Sequence, residues 1–257
     1  MKEILDIVYR ETNDGPLMMD LFLPEGVDNP PLILWIHGGA WQIGDRKWCL
    51  LKRQADRGYA VASVDYRLSG TATFPAQIVD CKEALLFLRA NAAQYGYDGS
   101  RVAVGGDSAG GHLAALMGTS AGHSHWEPEG ADCAVQAVVD FYGPTAFWCD
   151  WPNARKDNSP EACLIGAPAM SMQGRMLAAA ASPLTYVDGK EPPFLILHGD
   201  CDDTVPYSQS LLLRNALEKA GVSVAMHRVF GGGHGFDSPA ANAVVDTFLD
   251  RHLMQTP

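Results

Sequence analysis

The sequence lacks the long apolar segments of a protein that is anchored in a membrane. No apolar run approaches the roughly 20 residues that a helix needs to cross a bilayer. The opening residues, MKEILDIVYRE, alternate and contain acids where a secretory signal needs an uninterrupted apolar core. From these absences we expect a cytoplasmic protein that makes no membrane contacts.

Positive charge and paired cysteines are scarce as well. Lysine and arginine number 19 against 30 aspartates and glutamates, which gives a formal net charge of −11. Nucleic acid and anionic membranes would repel such a chain at long range, so neither is an expected partner. The six cysteines show no CxxC or other metal-binding spacing. We therefore expect free thiols, with a single disulfide as the alternative that the sequence leaves open, and neither a metal nor an organic cofactor.

Short apolar strands do occur, and they alternate with helical patterns along the chain. The 257 residues, of which 47% are hydrophobic, suit a single domain over residues 1–257. The predicted strands are ILDIVY, LMMDLFLP, PPLILWIHGG, YAVASVDYRL, RVAVGGDS, VQAVVDFYGP, PPFLILHG and VAMHRVF. Helical patterns between them predict an α/β fold, with a mostly parallel, doubly wound sheet of about eight strands and helices on both faces.

Residues 144–191 interrupt this alternation, because they show no strand pattern although they lie between two sheet strands. A connection of this length predicts a cap or lid insertion, with short helices, before the penultimate strand. Large apolar side chains of this insertion and of the loop after the third strand are candidates to line a substrate pocket: Trp41, Trp148, Trp151, Met170 and Met172. They are equally suited to packing the insertion onto the domain body, and the sequence leaves both alternatives open.

The segment GGDSAGG contains the pattern G-x-S-x-G around Ser108. An apolar strand, RVAV, precedes the pattern and a helical pattern follows it. In such a strand–turn–helix the serine lies at the apex of a strained turn, and the glycines avoid a collision of side chains. The pattern with its context predicts a nucleophilic serine rather than a glycine-rich turn with a capping serine.

A serine hydroxyl is a poor nucleophile until a base removes its proton. Among the eight histidines, His234 is the strongest candidate, since it lies in the glycine-rich loop GGGHGF between the last strand and the last helix. His37 and His198 follow apolar strands and precede glycine, so we expect them to shape loops. His112 lies on the helix after the serine, where we expect it to pack.

The base needs an acid that fixes its tautomer, on a neighbouring loop at the same edge of the sheet. The segment HGDCDDTVP follows the penultimate strand and offers Asp200, Asp202 and Asp203. Its position predicts that one of these carboxylates is the acid, but local spacing does not choose among them. The order serine, aspartate, histidine along the chain is that of the α/β-hydrolase fold.

A tetrahedral intermediate also needs donors for its oxyanion. The segment IHGGAW follows the third strand, where small residues let backbone N–H groups approach a substrate. The N–H of Ala109, at the start of the helix after the serine, is expected to be another donor, and the helix dipole favours it.

Together these motifs resemble the esterase and lipase group of the α/β-hydrolases. HGGAW, DYRL, FPAQ, GDSAGGHLAA, SPLTY, HGDCDDTVP and GGGHGF follow in that order over nearly the whole chain. The set is similar to the small bacterial carboxylesterases related to feruloyl and acetyl xylan esterases, the BD-FAE-like group, and more distantly to the hormone-sensitive lipases.

The resemblance implies roles for individual residues. It makes Ser108 the nucleophile and His234 the base, and the family pattern H-G-x-x-D-x-x-V-P selects Asp202 as the acid. It places the oxyanion donors on three backbone N–H groups, those of Gly39, Ala40 and Ala109. Hormone-sensitive lipase relatives read HGGG where this chain has Ala40, and a backbone donor survives that change.

The resulting hypothesis is hydrolysis of short or medium acyl or aryl esters of small molecules, through an acyl-enzyme, by a monomer or homodimer. The same residues would serve an amidase, an arylformamidase or a small peptidase, because the fold does not fix the leaving group. A non-catalytic hydrolase-fold binding protein is the alternative from another class. Such a protein typically lacks a triad member, whereas this chain retains a full set.

Overall fold

Eight strands form one sheet in the order β1-β2-β4-β3-β5-β6-β7-β8. The computed structural model describes residues 1–122, 126–148, 156–168 and 170–254. The strands are β1 (Lys2–Thr12), β2 (Gly15–Leu23), β3 (Pro31–Ile36), β4 (Ala60–Val64), β5 (Asp98–Asp107), β6 (Ala137–Phe141), β7 (Phe194–Gly199) and β8 (Val224–Val229). β2 pairs antiparallel with β1 and β4. The other six strands, which lie in the order β4, β3, β5, β6, β7 and β8, all pair in parallel with their neighbours. The prediction of a mostly parallel sheet of about eight strands is confirmed.

The burial of each strand follows its position in the sheet. Every residue of β3, β4, β6 and β7 is buried, which explains why their sequences are mostly apolar. β1 lies at one edge, and Tyr9 is its only buried residue. β8 lies at the other edge and has no fully buried residue. The partial alternation of polar and apolar residues in β1 therefore marks the edge of the sheet.

Helices cover both faces of the sheet. The α-helices are α1 (Ala76–Ala90), α2 (Ala92–Tyr95), α3 (Ala109–Thr119), α4 (Pro160–Ile165), α5 (Met172–Ala181), α6 (Ser208–Ala220) and α7 (Pro239–Leu249), which continues as a π-helix over Asp250–Met254. On one face, apolar side chains of α1, α3 and α6 such as Leu85, Leu113 and Leu213 form the larger core cluster. On the other face, Val245 and Leu249 of α7 form the second cluster with side chains of β3, β6 and β7.

The segment over residues 144–191 contains short helices in its described part. α4, α5 and a 3-10 helix over Pro183–Tyr186 lie within it. Ser159 caps the start of α4, and its Oγ accepts a hydrogen bond from the Ala162 N–H at 3.1 Å. Ser171 caps α5 in the same way, and its Oγ accepts from the Gly174 N–H at 2.9 Å. The role of this segment as a cap over a single domain stays a prediction.

The described helices are also too short or too polar to cross a bilayer: none of them combines the length and the hydropathy of a membrane span.

Because the parallel strands point the same way, their carboxyl ends lie together at one edge of the sheet. The loops after β3, β5, β7 and β8 leave from that edge and carry the motifs that the sequence singled out.

Candidate active site

Ser108 lies at a sharp turn between β5 and α3. Its backbone has φ of +52° and ψ of −116°, a conformation that an L-residue rarely adopts. Gly106 and Gly110 flank it, and a Cβ at Gly106 would overlap with the carbonyl of Gly110. A Cβ at Gly110 would in turn overlap with the carbonyl of Ile36 at the end of β3. The two glycines thus permit the tight packing that holds the serine in a strained position.

Three loops bring Ser108, His234 and Asp202 into one chain of hydrogen bonds. The Ser108 Oγ lies 2.9 Å from His234 Nε2, and His234 Nδ1 lies 2.8 Å from Asp202 Oδ2. A carboxylate only accepts, so Nδ1 carries the ring proton and Nε2 offers its lone pair to the serine hydroxyl. These three sequence-predicted residues therefore lie in the arrangement that proton transfer from the serine requires.

The two neighbouring aspartates lie outside this chain of contacts. Asp200 accepts hydrogen bonds from Arg228 Nε at 2.7 Å and from the Gly231 N–H at 2.6 Å. These contacts join the loop after β7 to β8 and to the loop that follows β8. Asp203 is exposed, and Thr204 Oγ1 lies 3.3 Å from its carboxylate. The geometry thus separates three acids that the local sequence left nearly equivalent.

The side chain of Asp202 is buried and receives several hydrogen bonds. Its Oδ1 accepts from the backbone N–H groups of Thr204 at 2.8 Å and Val205 at 2.9 Å. Burial alone would raise the pKa of Asp202, but hydrogen bonds from His198, His234 and these two N–H groups outweigh it and lower the pKa well below its usual value. The carboxylate is therefore ionised throughout the neutral range.

His198 contacts Asp202 directly, although the sequence led us to expect only a loop-shaping residue. Its Nε2 lies 3.1 Å from Asp202 Oδ2 and 3.0 Å from the Val205 carbonyl oxygen. Both atoms are acceptors, so Nε2 carries a proton and donates. The Ser210 Oγ lies 2.7 Å from the other ring nitrogen. Only the four-residue spacing of the histidine and the aspartate hinted at this contact.

The loop after β3 that begins with His37, Gly38 and Gly39, the HGG loop, lies against the turn that carries Ser108. The Gly38 N–H donates to Asp107 Oδ1 at 3.0 Å, and burial raises the pKa of Asp107 to about 6 although this hydrogen bond opposes the shift. Gly39, Ala40 and Trp41 all have positive φ values, of +107°, +54° and +57°. This turn places Gly39 and Ala40 beside Ser108 in the lining of one cavity.

Two cavities meet at Ser108. The first has a volume of about 420 Å³, and Trp41, Ala109, Pro144 and Glu161 are among its lining residues. The second has a volume of about 390 Å³ and is lined by residues that include Gly39, Ile43, Tyr142 and His234. Ala40 and Ser108 line both cavities. A bound molecule that reaches the serine therefore has room on two sides of it.

The predicted pocket residues divide between cavity and surface. Trp41 lines the first cavity, and its Nε1 donates to Nδ1 of the buried His112 at 3.2 Å. Trp148, Met170 and Met172 are 45%, 49% and 79% exposed, and none of the three lines either cavity within the described residues. Trp151 lies outside the described residues.

Several polar residues line the first cavity without having been predicted. They are Lys156, Asn158, Ser159, Glu161, Asp203 and Thr204. Most lie within residues 144–191, where the sequence offers no periodicity that would indicate which side chains face a cavity. Over the described ranges, no group of three or more histidine, cysteine or acidic side chains is arranged to hold a metal ion.

The sheet order and the contacts at its carboxyl edge define an α/β-hydrolase of the esterase and lipase class. The BD-FAE family model matches residues 19–217, and the chain belongs to this family. The resemblance that the sequence motifs suggested is therefore confirmed at the level of the family.

Curated relatives and solved structures agree with this assignment. Esterase LipQ of Mycobacterium tuberculosis (strain ATCC 25618 / H37Rv) is 37% identical over 221 residues, which cover 82% of this chain and 51% of the relative. Esterase LipC of the same organism is 34% identical, over 83% of this chain and 57% of the relative. A truncated form of a carbohydrate esterase from gut microbiota superposes with a TM-score of 0.88 at 31% identity, over 99% of this chain and 97% of that one. The chain spans about half the length of the curated relatives it matches.

Proposed function

We propose that this protein hydrolyses carboxylic esters of small molecules through an acyl-enzyme intermediate on Ser108. The observation that carries the proposal is the continuous chain of hydrogen bonds from Ser108 Oγ through His234 to Asp202 Oδ2, with contacts of 2.9 and 2.8 Å. Relatives that are named esterases, and the family match, support the same reaction.

In the first half of the reaction, the Ser108 Oγ attacks the ester carbonyl while His234 Nε2 accepts its proton. The ionised Asp202 holds the ring in the required tautomer and stabilises the imidazolium that forms. The backbone N–H groups of Gly39, Ala40 and Ala109 donate to the oxyanion. Ala109 is the first residue of α3, so the helix dipole favours the negative charge at that point.

The position of His234 supports one arrangement of the ester in the two cavities. The imidazolium must reach the leaving oxygen in order to protonate it, and His234 lines the second cavity but not the first. The alcohol part accordingly occupies the second cavity, and the acyl part occupies the first, beside Trp41. Water then enters from the alcohol side, gives a proton to His234 Nε2 and attacks the acyl carbon. The bond from that carbon to Ser108 Oγ breaks, Oγ takes the proton back from His234, and the acid leaves.

The size of the acyl cavity favours short or medium acyl groups. Its volume of about 420 Å³ lies toward the lower end of the range of small-molecule sites. We expect hydrolysis of p-nitrophenyl esters to be fastest between acetate and octanoate. A maximum at the longest chains would contradict this size limit.

Turnover of a panel of p-nitrophenyl esters by wild type, Ser108→Ala and Ser100→Ala tests the proposal. Ser100 lies on β5 as well, at the opposite end of the strand from the site, so it is a matched control. We expect Ser108→Ala to lose at least about 10³-fold in kcat and Ser100→Ala to match wild type. Full activity of Ser108→Ala would overturn the proposal.

The same purified protein separates the remaining alternatives. An amidase, arylformamidase or peptidase on the same residues would turn over formanilides or peptides faster than esters. A binding protein of this fold would hydrolyse no ester at all. Localisation in the cytoplasm and a monomeric or homodimeric state belong to the proposal, and size-exclusion chromatography with light scattering tests the second of them.

A further inference from the structure

His112 forms hydrogen bonds with two separate parts of the chain, although the sequence led us to expect only a packing residue. It lies on α3, where it is fully buried. Trp41 Nε1 donates to His112 Nδ1 at 3.2 Å, and His112 Nε2 lies 2.7 Å from the carbonyl oxygen of Ala181, the last residue of α5. An indole N–H only donates and a carbonyl oxygen only accepts, so Nδ1 offers its lone pair and Nε2 carries the ring proton.

Both contacts require a neutral His112 ring. Burial lowers the pKa of His112 to about 4, although the hydrogen bond with the Ala181 carbonyl opposes the shift. A second proton, on Nδ1, would point at the Trp41 indole N–H, and two donors would then face each other. At neutral pH the ring therefore accepts a hydrogen bond on one side and donates one on the other.

Packing alone does not account for a histidine at this position. The Phe147 ring stacks on His112 with 4.9 Å between the ring centroids, and the Trp41 ring lies 5.6 Å from that of Phe147. A leucine would also fill such an apolar space. It would, however, deprive the buried Trp41 N–H of its acceptor and the Ala181 carbonyl, at the end of α5, of its donor. The structure therefore uses the two nitrogens of the ring as well as its surface.

The first cavity is lined by both of the parts that His112 joins. Trp41 lines it directly, and Pro144 belongs to the segment over residues 144–191 that forms much of the remaining wall. His112 is itself attached to the turn that carries the nucleophile, since its backbone N–H donates to the Ser108 carbonyl oxygen at 2.9 Å. The hydrogen bonds of one ring on α3 thus fix both parts of the wall relative to Ser108.

The backbone at Trp41 makes this restraint more important. Ala40 and Trp41 both have positive φ values, and such strained conformations persist only where the surrounding contacts hold them. Nε1 is the one polar atom of the indole ring. The hydrogen bond to His112 is therefore the contact that fixes the rotation of the ring against the cavity.

We propose that His112 is a positioning residue for the acyl group: its two ring nitrogens hold Trp41 and the segment over residues 144–191 at the spacing that fits the first cavity to an acyl chain. This inference rests on the proposed function, because that function places the acyl group in this cavity. His112 acts through the cavity wall and not on the reacting atoms.

The test compares the ratio of kcat/KM for p-nitrophenyl hexanoate to kcat/KM for p-nitrophenyl acetate in wild type and His112→Leu. Acetate is too short to extend along the Trp41 wall, whereas the hexanoate chain lies against it. We expect His112→Leu to lower the ratio about tenfold, which corresponds to the lost burial of roughly two methylene groups. A smaller folded fraction would lower both values equally and leave the ratio unchanged.

Two further variants examine the hydrogen bonds themselves. His112→Gln offers an acceptor oxygen and a donor N–H, so it should restore most of the wild-type ratio, and a ratio no better than that of His112→Leu would overturn the inference. Trp41→Phe removes the donor from the other side and should lower the ratio as His112→Leu does. It also serves if the leucine variant does not fold. A wild-type ratio in folded His112→Leu or in Trp41→Phe would overturn the inference and leave the proposed function intact.

Leu116→Val is the matched control. Leu116 is a fully buried residue of α3, and over the described ranges it is not among the residues that line either cavity at Ser108. The variant should lower Tm, because it removes a buried methylene group, and should keep the wild-type ratio. A ratio that falls as far as in His112→Leu would attribute the effect to destabilisation of α3 and overturn the inference.

NMR spectroscopy supplies a readout that needs no hydrolysis. In isotope-labelled protein, with Trp41→Phe to assign the signal, the Trp41 indole N–H should be protected from solvent exchange in wild type and His112→Gln and should exchange faster in His112→Leu. Equal exchange in all three would overturn the inference alone. Wild type that hydrolyses neither ester would overturn the proposed function, and the inference with it.

Discussion

Replacement of Asp202 by asparagine is the substitution for which the structure makes the sharpest prediction. The side chain keeps its size, but its amide would present N–H groups to His198 Nε2 and His234 Nδ1, which are both donors in the native arrangement. To restore a hydrogen bond, the His234 ring would place its proton on Nε2. It would then have no lone pair for the Ser108 hydroxyl. We expect kcat to fall about 10⁴-fold.

The magnitude separates a tautomer-fixing acid from a merely structural one. A 10⁴-fold loss corresponds to about 5.4 kcal/mol of transition-state stabilisation. The loss of one hydrogen bond to a charged group accounts for about 1.5–3 kcal/mol, or roughly 10- to 150-fold. An effect above about 10³-fold therefore requires the wrong tautomer and not only a weakened contact.

Asp203→Asn and Asp200→Asn are the controls within the same loop. Asp203 is exposed and Asp200 contacts Arg228 and Gly231, so each variant should lose less than about tenfold. The assay is p-nitrophenyl butyrate hydrolysis, with circular dichroism to show that each variant is folded. The reasoning is refuted if Asp203→Asn is the crippling change, or if folded Asp202→Asn loses less than about 10²-fold.

Three further predictions concern the surroundings of the site. His198→Ala should lower kcat about tenfold with little change in KM, because Asp202 loses one donor, and His198→Gln should recover most of that loss. Gly39→Ala should lower both Tm and kcat, since its Cβ would overlap with the Ile43 carbonyl and its φ is +107°. Acid should destabilise wild type more than Asp202→Asn: the lowered pKa of Asp202 stabilises the fold above the unfolded value of 3.8, and this stabilisation is lost as the pH falls below about 4. Urea unfolding at a series of pH values measures it.

Each of these predictions has an opposing result. Equal kcat for wild type and folded His198→Ala would show that the contact with Asp202 does not support turnover. A fully active, stable Gly39→Ala would show that the HGG loop tolerates a different backbone path. Parallel acid-unfolding curves for wild type and Asp202→Asn would show that the hydrogen bonds to Asp202 do not contribute to stability.

The strands were predictable because burial on both faces leaves a direct mark on sequence. β3 is a continuous apolar run, β6 and β7 are mostly apolar, and all of their residues are buried. The turn at Ser108 was also predictable from the glycines around it, because only residues without a side chain permit this turn. Loops after consecutive parallel strands must leave from one edge of the sheet. Their meeting there therefore followed from the α/β pattern alone.

The contacts of individual site residues were harder to predict, because they depend on the directions of side chains in loops. Loop sequences have no regular period that would indicate those directions. Local spacing left three aspartates open in HGDCDDTVP, and only the family pattern selected Asp202. In the structure, the path of that loop turns Asp202 toward His234 at 2.8 Å. The same path brings His198 to the carboxylate. Glu161 lines the first cavity, and no pattern in the neighbouring sequence marks that position.

Covalent labelling of Ser108 is the measurement that tests the account most directly. Wild type, Ser108→Ala and Asp202→Asn are each incubated with a fluorophosphonate, and intact-mass and peptide mass spectrometry locate the adduct. We expect one adduct on the Ser108 peptide of wild type, slow labelling of Asp202→Asn and none in Ser108→Ala, with ester hydrolysis lost in proportion to labelling. Ester hydrolysis that persists when Ser108 is fully labelled, or wild type that is never labelled, would contradict the assignment of Ser108 as the nucleophile.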